Sequence, residues 1–159
     1  MVFRRLFVSY SWFCVLLLEI ITVCMLKIYL IKKISSKLRI SQWNVAANSC
    51  RTGQGLDKFY DERNATVSNV ICNCSFNNST VCHVTNIRLK NLNLTGDLPV
   101  EFANLTYLRE ISLGGNFASG SIPREFGRIS TLERLSLGDN NLVGPLPPEL
   151  GNLRRLRTM

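Results

Sequence analysis

An α/β solenoid with an N-terminal cap is the fold that the sequence predicts. Glycine and proline recur at a fixed interval of 24 residues, as Gly96, Gly120, Gly144 and Pro99, Pro123, Pro147. Apolar positions keep the same register, as Val84, Leu108, Leu132 and Leu156. A period held at this many positions is typical of solenoids, in which each unit buries its apolar face against its neighbours. Such a fold offers a partner a surface rather than an enclosed pocket.

Residues 1–25 are predicted to be a secretory signal peptide or an uncleaved signal-anchor. Arg4 and Arg5 precede an apolar run from Leu6 to Leu26. A basic start followed by an apolar stretch is typical of a secretory signal. The run is also near the length that a bilayer-spanning helix requires, so both alternatives stay open.

The positive charge of the chain is concentrated near its N-terminus. The net charge is +8, from 19 basic and 11 acidic residues. Residues 1–40 hold seven of the basic residues and one of the acidic ones, so the remainder is nearly balanced. Because the repeats carry no basic stripe with interleaved aromatic residues, we do not expect nucleic-acid binding.

Residues 26–83 are predicted to form the N-terminal cap, beginning with an amphipathic helix. Leu30, Ile34 and Leu38 are four residues apart, and lysines occupy the opposite face. We expect this helix to cover the open N-terminal edge of the repeats, since solenoid ends require caps. The alternative is a helix that lies on an anionic membrane.

Four cysteines precede the first repeat and predict a disulfide-bonded cap. They are Cys50, Cys72, Cys74 and Cys82. An even number of cysteines behind a secretory signal favours disulfides, although only the Cys72–Cys74 pairing is disfavoured by its geometry. A zinc site that also uses His83 would need a one-residue cysteine spacing, tighter than structural zinc sites prefer. We therefore expect neither a metal nor a cofactor.

Six N-x-[ST] sequons predict a glycoprotein of the secretory pathway. They begin at Asn64, Asn73, Asn77, Asn78, Asn93 and Asn104. Asn77 and Asn78 overlap, so we expect only one of those two to be modified. The expected location is lumenal or extracellular.

Residues 84–159 are predicted to contain three full repeats and the start of a fourth. Residues 111–113 and 135–137 alternate with period two, which predicts short strands with one buried face. Asn116 and Asn140 follow these strands, where a carboxamide can bond to backbone groups that a turn leaves unpaired. The F/L-x-x-L stretch of each unit is expected to be a short helical or irregular segment on the opposite side.

The L-x-G-x-[IL]-P element resembles the plant extracellular leucine-rich repeat. The resemblance departs from the pattern at Leu92, where an asparagine is expected, and at Ala118, where a leucine is expected. The stretch from Asn69 through Ile87, followed by residues 92–99, is similar to the cap-to-repeat junction of one subfamily of plant receptor-like kinases. That resemblance implies an ectodomain followed by a malectin-like domain, one transmembrane helix and a cytoplasmic serine/threonine kinase.

Candidate ligand-facing residues lie on the concave side of the predicted strands, because side chains alternate along a strand. The outward positions are Asn86, Arg88, Lys90, Asn91, Glu110, Ser112, Gly114, Gly115, Arg134, Ser136, Gly138 and Asp139. We expect all of them to be exposed. The partners that fit such a surface are a protein, a peptide, a cell-wall ligand or a co-receptor ectodomain.

No catalytic constellation is found in this sequence. It has no Gly-rich phosphate loop, no H-R-D and no D-F-G motif, and one histidine in all. We therefore expect a non-enzymatic interaction module, with a membrane link through the N-terminal segment or through a helix that is missing at the C-terminus. Because Met159 falls inside a strand position, a truncated ectodomain is expected. The alternatives are a secreted inhibitor or decoy and a truncated product without function.

Overall fold

The computed structural model describes residues 26–40, 43–46, 48–54, 56, 59–60, 66–79 and 81–159. The predicted signal or anchor in residues 1–25 lies outside these ranges. Among the described residues, no helix is both long and apolar enough to span a membrane.

The N-terminal part combines two helices with an antiparallel hairpin. Helix α1 is described over residues 26–37, and α2 spans Ser49–Thr52. Strand β1 (Phe59–Tyr60) pairs with β2 (Thr66–Phe76), and β2 pairs with β3 (Val81–Leu89), both in antiparallel orientation. The long strand β2 was not anticipated from the sequence, because its cysteines, asparagines and serines obscure the alternation.

The repeats contribute parallel strands that stack at the interval of the sequence. Strands β5 (Glu110–Ser112) and β7 (Arg134–Ser136) extend the sheet from β3, giving the order β1-β2-β3-β5-β7. Ile87, Ile111 and Leu135 are register partners, 24 residues apart. A second parallel sheet forms from β4 (Thr95–Asp97) and β6 (Phe117–Ser119).

The side opposite the main sheet is built from one-turn 3₁₀ helices, as the F/L-x-x-L stretches predicted. They span Val100–Asn104, Arg124–Arg128 and Pro148–Asn152, and each follows a proline. Phe102 and Phe126 are fully buried and meet edge to face with ring centroids 5.9 Å apart. The core therefore lies between the strands and the 3₁₀ helices, and each unit completes the core of the next.

Helix α1 packs on the first unit rather than standing apart from it. Leu30, Ile34 and Leu38 belong to the same buried core as the repeats. Lys37 forms a 2.8 Å salt bridge with Glu101 of the first 3₁₀ helix. At Gly96 (φ 95°) a Cβ atom would lie 2.6 Å from the Lys37 carbonyl oxygen, so only glycine allows the helix and the turn to approach this closely.

Candidate interaction surface

The candidate surface is the outward side of strands β3, β5 and β7, here called the strand face. It consists of Asn86, Arg88, Glu110, Ser112, Arg134 and Ser136. Because Ile87, Ile111 and Leu135 point into the core, these flanking residues occupy the other side of the sheet. The structure thus brings together the strand residues that the sequence selected.

Glu110 is the centre of a hydrogen-bonded group on the strand face. Arg88 donates from Nε and Nη2 to the two carboxylate oxygens, at 2.8 and 2.7 Å. The Asn86 amide donates to Oε2 at 2.8 Å, and Arg134 Nη1 lies 3.7 Å from the same oxygen. The Arg88 guanidinium holds the pKa of Glu110 below its usual value, burial opposes this shift, and Asn86 and Arg134 favour it. The carboxylate of Glu110 is therefore ionised and held in place by its neighbours on the strand face.

The expectation that every outward residue is exposed was wrong for Glu110 and Ser112. Glu110 retains 7% and Ser112 2% of their accessible surface. Both lie on the middle strand, between residues of the strands on either side. The Ser112 hydroxyl has no hydrogen-bond partner among the described residues. The exposed charge of the strand face is instead supplied by Arg134, with 57% of its side chain accessible.

The turns that follow the strands border the strand face on one side. Lys90, Asn91, Gly138 and Asp139 are exposed, as is Ser136 at the end of β7, whereas Gly114 and Gly115 are half-buried. Asn91 and Asp139 have positive φ angles of 53° and 54°, a conformation that asparagine and aspartate tolerate better than most residues. Each therefore holds a turn as well as presenting a polar group.

Asn116 and Asn140 bind the backbone groups that the turns leave unpaired, as predicted. Asn116 accepts from the amides of Leu92 and Leu94 and donates to the carbonyls of Leu89 and Leu113. Asn140 repeats this arrangement one unit later: it accepts from the Ala118 amide and donates to the carbonyls of Leu113 and Leu137. These bonds tie adjacent units together and fix the spacing of the strands above them.

The four cap cysteines form two disulfides, Cys50–Cys72 and Cys74–Cys82. The sequence predicted the disulfide bonding but not this pairing. The first bridge fastens α2 to β2, and the second links β2 to β3 across the hairpin. Strand β3, at the cap end of the strand face, is therefore covalently linked to β2, and β2 is linked to α2.

An aromatic cluster at the start of the first unit was not anticipated. His83 and Tyr107 stack with centroids 3.8 Å apart, and Phe76 meets both rings edge to face. Burial, and to a smaller extent the charge of Lys27, lowers the pKa of His83 to about 4. Phe76 and His83 belong to the hairpin and Tyr107 to the first repeat, so no local sequence pattern indicates the cluster.

The described sequon asparagines all have exposed side chains. They are Asn73, Asn77, Asn78, Asn93 and Asn104; Asn64 lies outside the described residues. Asn73 is on β2, Asn77 and Asn78 are in the hairpin turn, and Asn93 and Asn104 belong to the first unit. Glycosylation at these positions remains a prediction.

Comparison with solved structures identifies the fold. The ectodomain of the Arabidopsis thaliana receptor kinase SOBIR1 matches 82% of this chain and 62% of its own, with a TM-score of 0.59 at 22% identity. The BIR2 ectodomain of the same plant matches 81% and 62%, with a TM-score of 0.58 at 24% identity. The fold is that of plant leucine-rich repeat ectodomains. A structure of the Arabidopsis BIR3–SERK2 complex matches similarly, with a TM-score of 0.59, 19% identity and coverage of 82% and 64%.

Sequence comparison leads to the same group of proteins. The Leucine Rich Repeat family pattern matches residues 131–153. Two probable LRR receptor-like serine/threonine-protein kinases of Arabidopsis thaliana are 42% identical over 87 residues and 40% identical over 89 residues. These matches cover 55% and 56% of this chain but only 8% and 9% of the relatives' length.

Proposed function

We propose that this chain is an extracellular interaction module of a plant membrane receptor-like kinase that acts in cell-surface signalling. Its domains are a secretory signal or anchor in residues 1–25, a cap in residues 26–83 and a repeat solenoid in residues 84–159. The resemblance of its cap-to-repeat junction supports the subfamily whose ectodomain also contains a malectin-like domain. The module itself binds and does not catalyse.

The observation that supports binding at the strand face is the organised charge around Glu110. Arg88 and Asn86 fix the carboxylate, which leaves the exposed guanidinium of Arg134 as a cation next to a neutralised pair. A rigid array of charges discriminates partners, because a like charge placed against it is repelled. The strand face therefore suits a protein or peptide partner with an acidic group opposite Arg134.

The partner class follows from proteins of the same fold. The BIR3–SERK2 structure, which has the same fold, is a complex of two proteins and supports a protein partner for this chain. We infer that the partner of this chain is a co-receptor ectodomain or a peptide displayed on one. The location is the outer face of the plasma membrane or the apoplast.

Binding of the full chain to a panel of plant receptor-kinase ectodomains, including BIR3 and SERK2, tests the proposal. We expect at least one ectodomain to bind, and Arg134→Ala to raise its Kd about tenfold, equivalent to about 1.4 kcal/mol. Arg128→Ala is the matched control, because Arg128 is also an exposed arginine and belongs to a 3₁₀ helix on the opposite side.

Arg88→Ala is a poorer test of binding, although Arg88 also lies on the strand face. It would leave the Glu110 carboxylate without its two-bond partner, so a loss of binding would be mixed with a loss of stability. If Arg128→Ala weakened the complex and Arg134→Ala did not, the strand face would be the wrong surface.

A further inference from the structure

We propose that the first N-acetylglucosamine of a glycan on Asn104 packs against Tyr107, in the groove between α1 and the first unit. The groove, here called the α1 groove, is lined by Leu26, Lys27, Leu30, His83, Val84 and residues 104–107. This inference rests on the proposed passage through the secretory pathway. It adds a structural role for one particular glycan.

The α1 groove has the size and polarity of a site for a single sugar ring. Its volume is about 270 Å³, slightly below the roughly 300–1,000 Å³ of pockets that bury drug-sized ligands. The lining is largely apolar, and Leu26 is an exposed large hydrophobic residue. Apolar surface left open in this way is stabilised by whatever covers it.

Tyr107 provides a flat platform in this groove, with neighbouring rings on two sides. Its ring stacks on His83, and the edge contact with Phe76, at 4.7 Å between centroids, holds it from another side. Even so, 38% of Tyr107 remains accessible. The free part of the ring can receive the C–H face of a pyranose, while the sugar hydroxyls stay in water.

Asn104 places its own glycan at this platform. It ends the first 3₁₀ helix, its side chain is exposed, and it lines the same groove as Tyr107. The sequon Asn104-Leu-Thr directly precedes Tyr107 in the chain. The tether makes occupancy intramolecular, so a weak sugar–ring contact is sufficient to hold the sugar.

A double-mutant cycle on the full glycosylated chain tests the contact. The chain is made in cells that produce high-mannose glycans and is then trimmed with an endoglycosidase to one N-acetylglucosamine per site. We expect Asn104→Gln to lower the Tm by about 3 °C in the wild-type background, on the scale typical of one modest interaction in a domain of this size. In the Tyr107→Ala background, the same substitution should change the Tm by less than about 1 °C.

Phe117→Ala is the matched control, because Phe117 is an exposed aromatic residue on β6, away from the groove lining. The Asn104→Gln effect should persist in that background. An upfield ring-current shift of the Asn104-linked acetyl methyl resonance, absent in Tyr107→Leu, provides a second measurement if Tyr107→Ala does not fold.

Glycopeptide mass spectrometry separates the two ways in which the proposal fails. An unmodified Asn104 beside modified Asn73 and Asn93 would overturn the groove assignment and leave the secretory location standing. No modification at any sequon would contradict that location as well. A modified Asn104 whose removal costs the same Tm with and without Tyr107 would show that its glycan stabilises the fold through a contact other than Tyr107, and the proposal would be wrong.

Discussion

The first and last units of the stack have nearly the same sequence pattern but very different environments. Leu98 and Leu146 occupy equivalent positions before the repeat proline, yet 3% of Leu98 and 57% of Leu146 are accessible. Asn116 of the second unit is buried, whereas its equivalent in the last unit, Asn140, is half-buried. The repeat pattern determines which groups can be buried, and the neighbouring unit determines whether they are.

We expect the largest difference in stability between Asn116→Ala, in the second unit, and Asn140→Ala, in the last unit. Loss of the Asn116 side chain removes the bonds to two backbone amides and to the Leu89 carbonyl. The Leu113 carbonyl keeps the bond that Asn140 donates. At about 1 kcal/mol for each of these three groups, we expect the free energy of unfolding to fall by about 3 kcal/mol. Water reaches the groups around Asn140, so we expect about 1–2 kcal/mol there.

Urea denaturation of both variants, followed by circular dichroism, measures this difference. An Asn140→Ala variant as unstable as Asn116→Ala would mean that solvent does not replace the lost bonds at the last unit. The comparison of the two units would then be wrong for polar groups.

The stability losses of Leu98→Ala and Leu146→Ala compare the first and last units for apolar groups. Truncation of the buried Leu98 leaves a cavity and should cost about 3 kcal/mol. Truncation of Leu146 removes a side chain that is mostly in water and should change stability by less than about 0.5 kcal/mol. Melting curves of the two variants under identical conditions compare them. A loss of more than about 1 kcal/mol at Leu146 would show that this face is covered in solution.

The sequence predicted most accurately those features that depend on one repeat and its immediate neighbour. The bonds of Asn116 and Asn140 and the position of the 3₁₀ helices follow from the 24-residue register alone. The burial of Glu110 and Ser112 was missed, because it depends on how the side chains of three strands lean over one another. The cysteine pairing and the His83–Tyr107 stack were also not predicted, since each joins segments that no periodic signal relates.

Arg88 and Arg134 extend the comparison to charge, because they flank Glu110 from the first and last strands of the stack. Arg88 makes two hydrogen bonds to the carboxylate, whereas Arg134 is more exposed and lies 3.7 Å away. We expect Arg88→Met to lower the free energy of unfolding by about 2 kcal/mol at pH 7, and Arg134→Met by less than about 0.5 kcal/mol.

The pH dependence of stability shows whether the Arg88 effect acts through Glu110. The folded protein holds the pKa of Glu110 below its ordinary value of 4.5. The carboxylate therefore contributes stability that is complete above about pH 5 and is lost as the pH falls through the folded pKa. Wild-type protein and Glu110→Gln should differ at pH 7 and converge towards pH 3, and Arg88→Met should follow Glu110→Gln. If Arg134→Met removed the pH dependence and Arg88→Met preserved it, the last strand rather than the first would hold the carboxylate.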